Sequence, residues 1–123
     1  MKTRALLLIL CLFLLSACSS PIEKCKKSNI GVRYVVTGEN VSMVSITQSS
    51  DTGGMELGNF AGPYCRMLTG FEDGDQLYIS ANLDDDSGLV TCKIYDEEKL
   101  VSQSTARARE GGFATIATCS ATK

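Results

Sequence analysis

Six cysteines and no histidine set the chemistry open to this chain of 123 residues. Without histidine the commonest general base is missing, and with it every Ser-His or Cys-His nucleophile pair. Carboxylates are available, but they cluster at turns, where such residues solvate and cap the bend. Their spacing does not set two acids across a cleft, as glycoside hydrolysis requires. The chain therefore reads as a non-enzyme. Asn82-Leu83-Asp84-Asp85-Asp86-Ser87-Gly88 offers oxygen ligands at alternate positions, like the opening of a calcium loop. The glycine that such a loop needs falls on Ser87, and no glutamate follows in register, so a polar turn accounts for the segment. Zinc is no better served, since there is no Cys-x-x-Cys pair and no histidine to complete a mixed site. No metal and no cofactor is expected. The glycine-rich stretch 53–62 is not a phosphate cradle, because it lacks a Gly-Lys-Ser/Thr ending and a following helix.

The N-terminus carries an address. Lys2 and Arg4 precede an apolar run from Leu6 to Leu14, which is well short of the roughly 20 residues that span a bilayer. Leu15-Ser16-Ala17-Cys18 closes that run with small residues and a thiol, and it resembles the bacterial lipobox. The resemblance implies that residues 1–17 are a lipoprotein signal peptide and that Cys18 is acylated and becomes the mature N-terminus. The chain is then exported and held to a membrane of the cell envelope through that lipid. Ser19, a neutral residue after the acylated one, favours the outer membrane where the source has two.

Residues 18–28 are Ser/Lys-rich, contain Pro21 and show no apolar period. They read as a lipidated tether of at most roughly 35 Å when extended. Lys24, Lys26 and Lys27 gather there, where anionic headgroups could draw them. The precursor's formal charge is −2 and its two signal-peptide cations are lost on cleavage, so the mature domain is acidic. It has no electrostatic footprint for nucleic acid. Once Cys11 leaves with the signal and Cys18 takes the lipid, Cys25, Cys65, Cys92 and Cys119 remain. An even number in an exported domain favours disulfides.

The rest, residues 29–123, has strand chemistry. Ile30, Val32, Tyr34 and Val36 alternate with Gly31, Arg33, Val35 and Thr37. Val41 to Gln48 is rich in β-branched residues, and Ser49 to Gly62 is polar and glycine-dense, so most of it reads as loop. Tyr64 to Thr69, the alternation through Leu77, Ile79 and Ala81, then Val90, Cys92 and Ile94, Leu100 to Ala106, and Phe113 to Cys119 follow. Such a series of about seven short strands, with no convincing amphipathic helix, predicts an all-β, immunoglobulin-like antiparallel sandwich. No Trp stands between the late cysteines, so the antibody-type core is not expected. Four cysteines allow three connectivities. Cys92 is central in its strand and Cys119 is on the inward side of the last, which suits a bridge between them. Cys25 and Cys65 are left to each other.

Met55, Leu57, Phe60 and Tyr64 interrupt the polar stretch and are the candidate partner-binding residues, since long loops with apolar side chains often carry recognition. More often, such residues simply plug the open end of a sandwich. The expected function is a binding or accessory module of the envelope. An inhibitor of a hydrolytic enzyme and a purely structural surface lipoprotein are the alternatives.

Val32-x-Tyr34-x-Val36-x-Gly38, Val44-x-Ile46, Leu77-x-Ile79-x-Ala81, Thr91-Cys92-x-Ile94 and Ala117-x-Cys119 together resemble the extracytoplasmic domain of the mycobacterial small membrane proteins (MmpS-like proteins). The resemblance spans about residues 30–120. It implies a small β-sandwich, a bridge between Cys92 and Cys119, and an accessory role beside a large envelope transporter that exports lipids or siderophores. Two features depart from that pattern. The family is usually held by a transmembrane helix instead of a lipobox, and its Leu-Pro-Trp-type segment has no counterpart beyond Gly62-Pro63-Tyr64.

Overall fold

The computed structural model describes residues 21–41, 43–83, 87–109 and 115–123. Cys18, the segment before it and the acidic turn Asp84-Asp85-Asp86 lie outside the described residues. The described residues form eight strands and one short helix.

Period-two alternation makes the inner strands, because successive side chains of a strand point to opposite faces. β1 (Val32–Glu39) turns Val32, Tyr34 and Val36 inward; β2 (Val44–Ser49) turns Val44, Ile46 and Gln48 inward. β3 (Met55–Phe60) and β4 (Tyr64–Leu68) follow. β5 (Gln76–Leu83) buries Leu77, Ile79, Ala81 and Leu83, and β6 (Leu89–Asp96) buries Val90, Cys92 and Ile94. β7 (Lys99–Arg107) is an outer strand, and β8 (Thr115–Thr122) closes the domain with Ala117 and Cys119 buried.

Two antiparallel sheets result, ordered β4-β1-β6-β7 and β3-β2-β5-β8. Their inward rows share one apolar core. Tyr34 sits at its centre, edge-on to Phe71 with ring centroids 6.3 Å apart. The architecture is the expected all-β sandwich. Its strand order is its own: β1 is an interior strand between β4 and β6, whereas the first strand of an immunoglobulin sheet lies at the edge.

Both expected disulfides are present, Cys92–Cys119 as the strand positions suggested and Cys25–Cys65 as the remaining pair. Cys92–Cys119 crosses the core from β6 to β8 and so joins the two sheets, with Cα atoms 6.1 Å apart. Cys25–Cys65 has a Cα separation of 6.0 Å. Such bonds belong to an oxidising, exported environment. Among the described residues no helix is long and apolar enough to cross a membrane.

Two expectations are corrected. Half of the stretch 49–62 is strand: Ser49 ends β2 and residues 55–60 form β3, paired with β2 from Val44↔Phe60 to Ser49↔Met55. The tether is not extended throughout either: Pro21–Lys27 is a helix, α1. Its acidic residue, Glu23, lies in the first turn and its lysines in the last, which complements the helix dipole. α1 lies on the outer face of the first sheet. There Arg33, outward-pointing yet buried, donates through Nη1 to the carbonyls of Lys26 at 2.6 Å and Cys25 at 3.4 Å. Its Nη2 donates to the Glu97 carbonyl at 3.1 Å, and its guanidinium lies 4.4 Å from the centre of the Tyr95 ring. A seven-residue helix is too short to persist alone; the disulfide and the buried guanidinium hold it.

Candidate functional site

A cleft of about 620 Å³ opens where the edge strands β3 and β4 leave the two sheets unjoined. At the opposite side β7 and β8 approach each other, and the Ser120 amide donates to Ser102 Oγ at 3.2 Å. Sheet register decides which side chains enter the cleft. Val44↔Phe60, Ile46↔Gly58 and Gln48↔Glu56 place Phe60, Gly58 and Glu56 on the inner face of β3. Val36↔Tyr64 and Tyr34↔Arg66 do the same for Tyr64 and Arg66 on β4.

A polar chain spans the mouth from one sheet to the other. The Tyr64 hydroxyl donates to Gln48 Oε1 at 2.7 Å, and Gln48 Nε2 donates to Glu56 Oε2 at 3.1 Å. Arg66 meets the other Glu56 oxygen at 3.4 Å, with both side chains partly in solvent. Gln48 is 2 % exposed, so both ends of its amide need partners, and Tyr64 and Glu56 supply them. Burial pushes the Tyr64 phenol above its ordinary pKa, while the Gln48 hydrogen bond and the Arg66 charge pull it the other way. Deeper in, the Tyr34 hydroxyl lies 2.6 Å from Ser49 Oγ, and burial again raises the phenol.

The rim is apolar. The Phe60 ring tilts against Tyr64 at a centroid distance of 4.4 Å and lies back over Gly58, where a Cβ would stand only 2.7 Å from Phe60 Cε2. Leu57, on the outer face of the same strand, is 81 % exposed. Ile22 of α1 and Pro63 complete the apolar side.

Of the four candidate residues, Leu57, Phe60 and Tyr64 line this cleft together. Met55 does not; it begins β3 at the far end of the β2 pairing, half exposed. Glu56, Gln48, Arg66 and Ile22 join the site without having been singled out. Gln48 carried a legible signal, being a polar residue in the inward phase of Val44 and Ile46, and a buried polar side chain is the informative exception. Of the carboxylates elsewhere, Asp75 Oδ2 caps its own turn by accepting from the Glu72 amide, while Asp51 Oδ2 ties two loops together by accepting from the Gly70 amide, each at 2.8 Å. Among the described residues no group of three or more His, Cys, Asp or Glu side chains is placed to hold a metal.

Chemically, the cleft offers an apolar lip over a polar chain whose members already satisfy one another. That arrangement suits contact with an amphipathic surface. In comparisons with known proteins, no family, no curated protein and no solved structure matches this chain.

Proposed function

We propose that this chain is a lipid-anchored, non-enzymatic module of the cell envelope that binds or assists another envelope component through the β3–β4 cleft. The observation that carries this reading is Leu57, an apolar side chain four-fifths exposed on a strand whose outer edge has no partner among the described residues. Natural edges are blunted by charge, proline or cover, and an apolar patch left open beside one marks an interaction surface. On the inner side of the same edge, Phe60 and Tyr64 add apolar rings to the cleft's lip. The lipobox-like Leu15-Ser16-Ala17-Cys18 supplies the address. Tethering confines the domain to a thin layer at the bilayer, where the effective concentration is high and weak contacts suffice.

The non-enzymatic part of the reading rests on a chain without histidine and on a cleft whose one carboxylate is already engaged by Arg66 and Gln48. The accessory role beside an envelope transporter follows from the resemblance to MmpS-like proteins, and outer-membrane residence follows from Ser19 where there are two membranes. Cys18→Ala is expected to remove the lipid mass and release the protein from the membrane or leave it unprocessed. Retention with unchanged mass defeats the anchor. A photo-crosslinker at Leu57 in living cells is expected to capture an envelope component, protein or lipid. A captured hydrolase favours the inhibitor reading instead, and no capture at all favours a structural surface lipoprotein.

A further inference from the structure

α1 ties the proposed anchor to the cleft. Ile22, the second residue of α1, lines the cleft with Leu57, Phe60 and Pro63. Only three backbone steps separate Cys18 from Pro21, and consecutive Cα atoms lie 3.8 Å apart, so these two Cα atoms are at most about 11 Å apart. The helix is held in place on the sheet, because Cys25–Cys65 bonds it to β4 and Arg33 holds its last carbonyls. An acyl chain on Cys18 therefore enters the bilayer within one short reach of the cleft's rim.

The charge on α1 agrees. Lys24 and Lys27 are exposed on the helix, away from the side that Ile22 turns to the cleft, and its one carboxylate is Glu23. The carboxylate of the cleft, Glu56, is neutralised by Arg66 at 3.4 Å. An apolar lip carried beside a basic segment is a composition that settles at a headgroup boundary, with the apolar part in the acyl region and the cations drawn to anionic lipids.

We infer that the β3–β4 cleft faces the membrane that holds the anchor and that its occupant is the lipid surface. Leu57 and Phe60 enter the interfacial layer, and Lys24 and Lys27 meet anionic headgroups. This names the partner of the cleft proposed above and rests on the acylation of Cys18.

The chain has no Trp, so a single introduced indole reports its own surroundings. Leu57→Trp and Ile116→Trp are made separately in the full acylated protein. Both positions are exposed, and they lie on the two opposite edge strands of one sheet. Each variant is mixed with vesicles of phosphatidylethanolamine and phosphatidylglycerol, and with the same vesicles carrying brominated acyl chains. The expected result is co-flotation of both variants, with a blue shift and loss of emission by bromine at position 57 and neither change at 116. Co-flotation with position 57 unquenched overturns the inference and leaves the anchor standing. Failure to float overturns both.

Discussion

Tyr64 shows how a single side chain both closes and sensitises the cleft. Its hydroxyl satisfies Gln48 Oε1, and its ring supports Phe60. Burial raises its pKa, as it does for Tyr34, so the folded state prefers both phenols neutral. A pKa that is higher folded than unfolded contributes stability in full below the unfolded value, near pH 10, and loses it as pH rises through the folded value. Urea unfolding at neutral and high pH is expected to show stability falling above about pH 10. Tyr64→Phe costs about 1–3 kcal/mol at neutral pH, because Gln48 Oε1 is left buried without a donor. It also reduces the alkaline fall; an unchanged fall in that variant means Tyr64 does not contribute to it.

β3 is the element that sequence periodicity misplaces, and the reason is physical. Its inward positions hold Glu56, Gly58 and Phe60, while Met55 and Leu57 face outward, so the apolar phase is largely inverted relative to a half-buried strand. Pairing with β2 decides its conformation, not its own pattern. Gly58 has a specific use, since its missing Cβ leaves space for the Phe60 ring. Gly58→Ala is expected to push that ring off Tyr64 while leaving the strand paired. The checks are loss of ring-current shifts on Tyr64 in NMR spectra and weaker vesicle contact. Removal of residues 53–60 is a poorer probe, because it uncovers the buried Val44, Ile46 and Gln48. α1 escapes a periodicity search for another reason: its seven residues are held by Cys65 and Arg33, which lie outside it.

At the scale of the molecule, the two disulfides divide the work. Cys92–Cys119 lies wholly inside the core and links the sheets, whereas Cys25 and Cys65 are only partly covered and pin α1 to an edge strand. Thiol exchange needs access to a sulfur. Mild reduction followed by alkylation and mass spectrometry is expected to label Cys25 and Cys65 well before Cys92 and Cys119. Labelling in the reverse order contradicts the burial of the core bond. Loss of the outer bond removes the covalent hold on α1, on which the proposed membrane contact of the cleft rests.

The sequence by itself determined the parts governed by local chemistry. Alternation in β1, β5 and β6 placed their core rows, β-branched residues marked β2, turn residues separated the strands, and the inward phase of Cys92 and Cys119 indicated their bond. Tertiary structure alone decided that Glu56, Gln48, Tyr64 and Arg66 form one chain, that Met55 stands apart from Leu57 and Phe60, and that Ile22 reaches the same cleft. Those facts depend on strand order and register between segments distant in sequence. A period of two tells which side of a strand a residue takes, but only pairing between strands tells which neighbours it meets there.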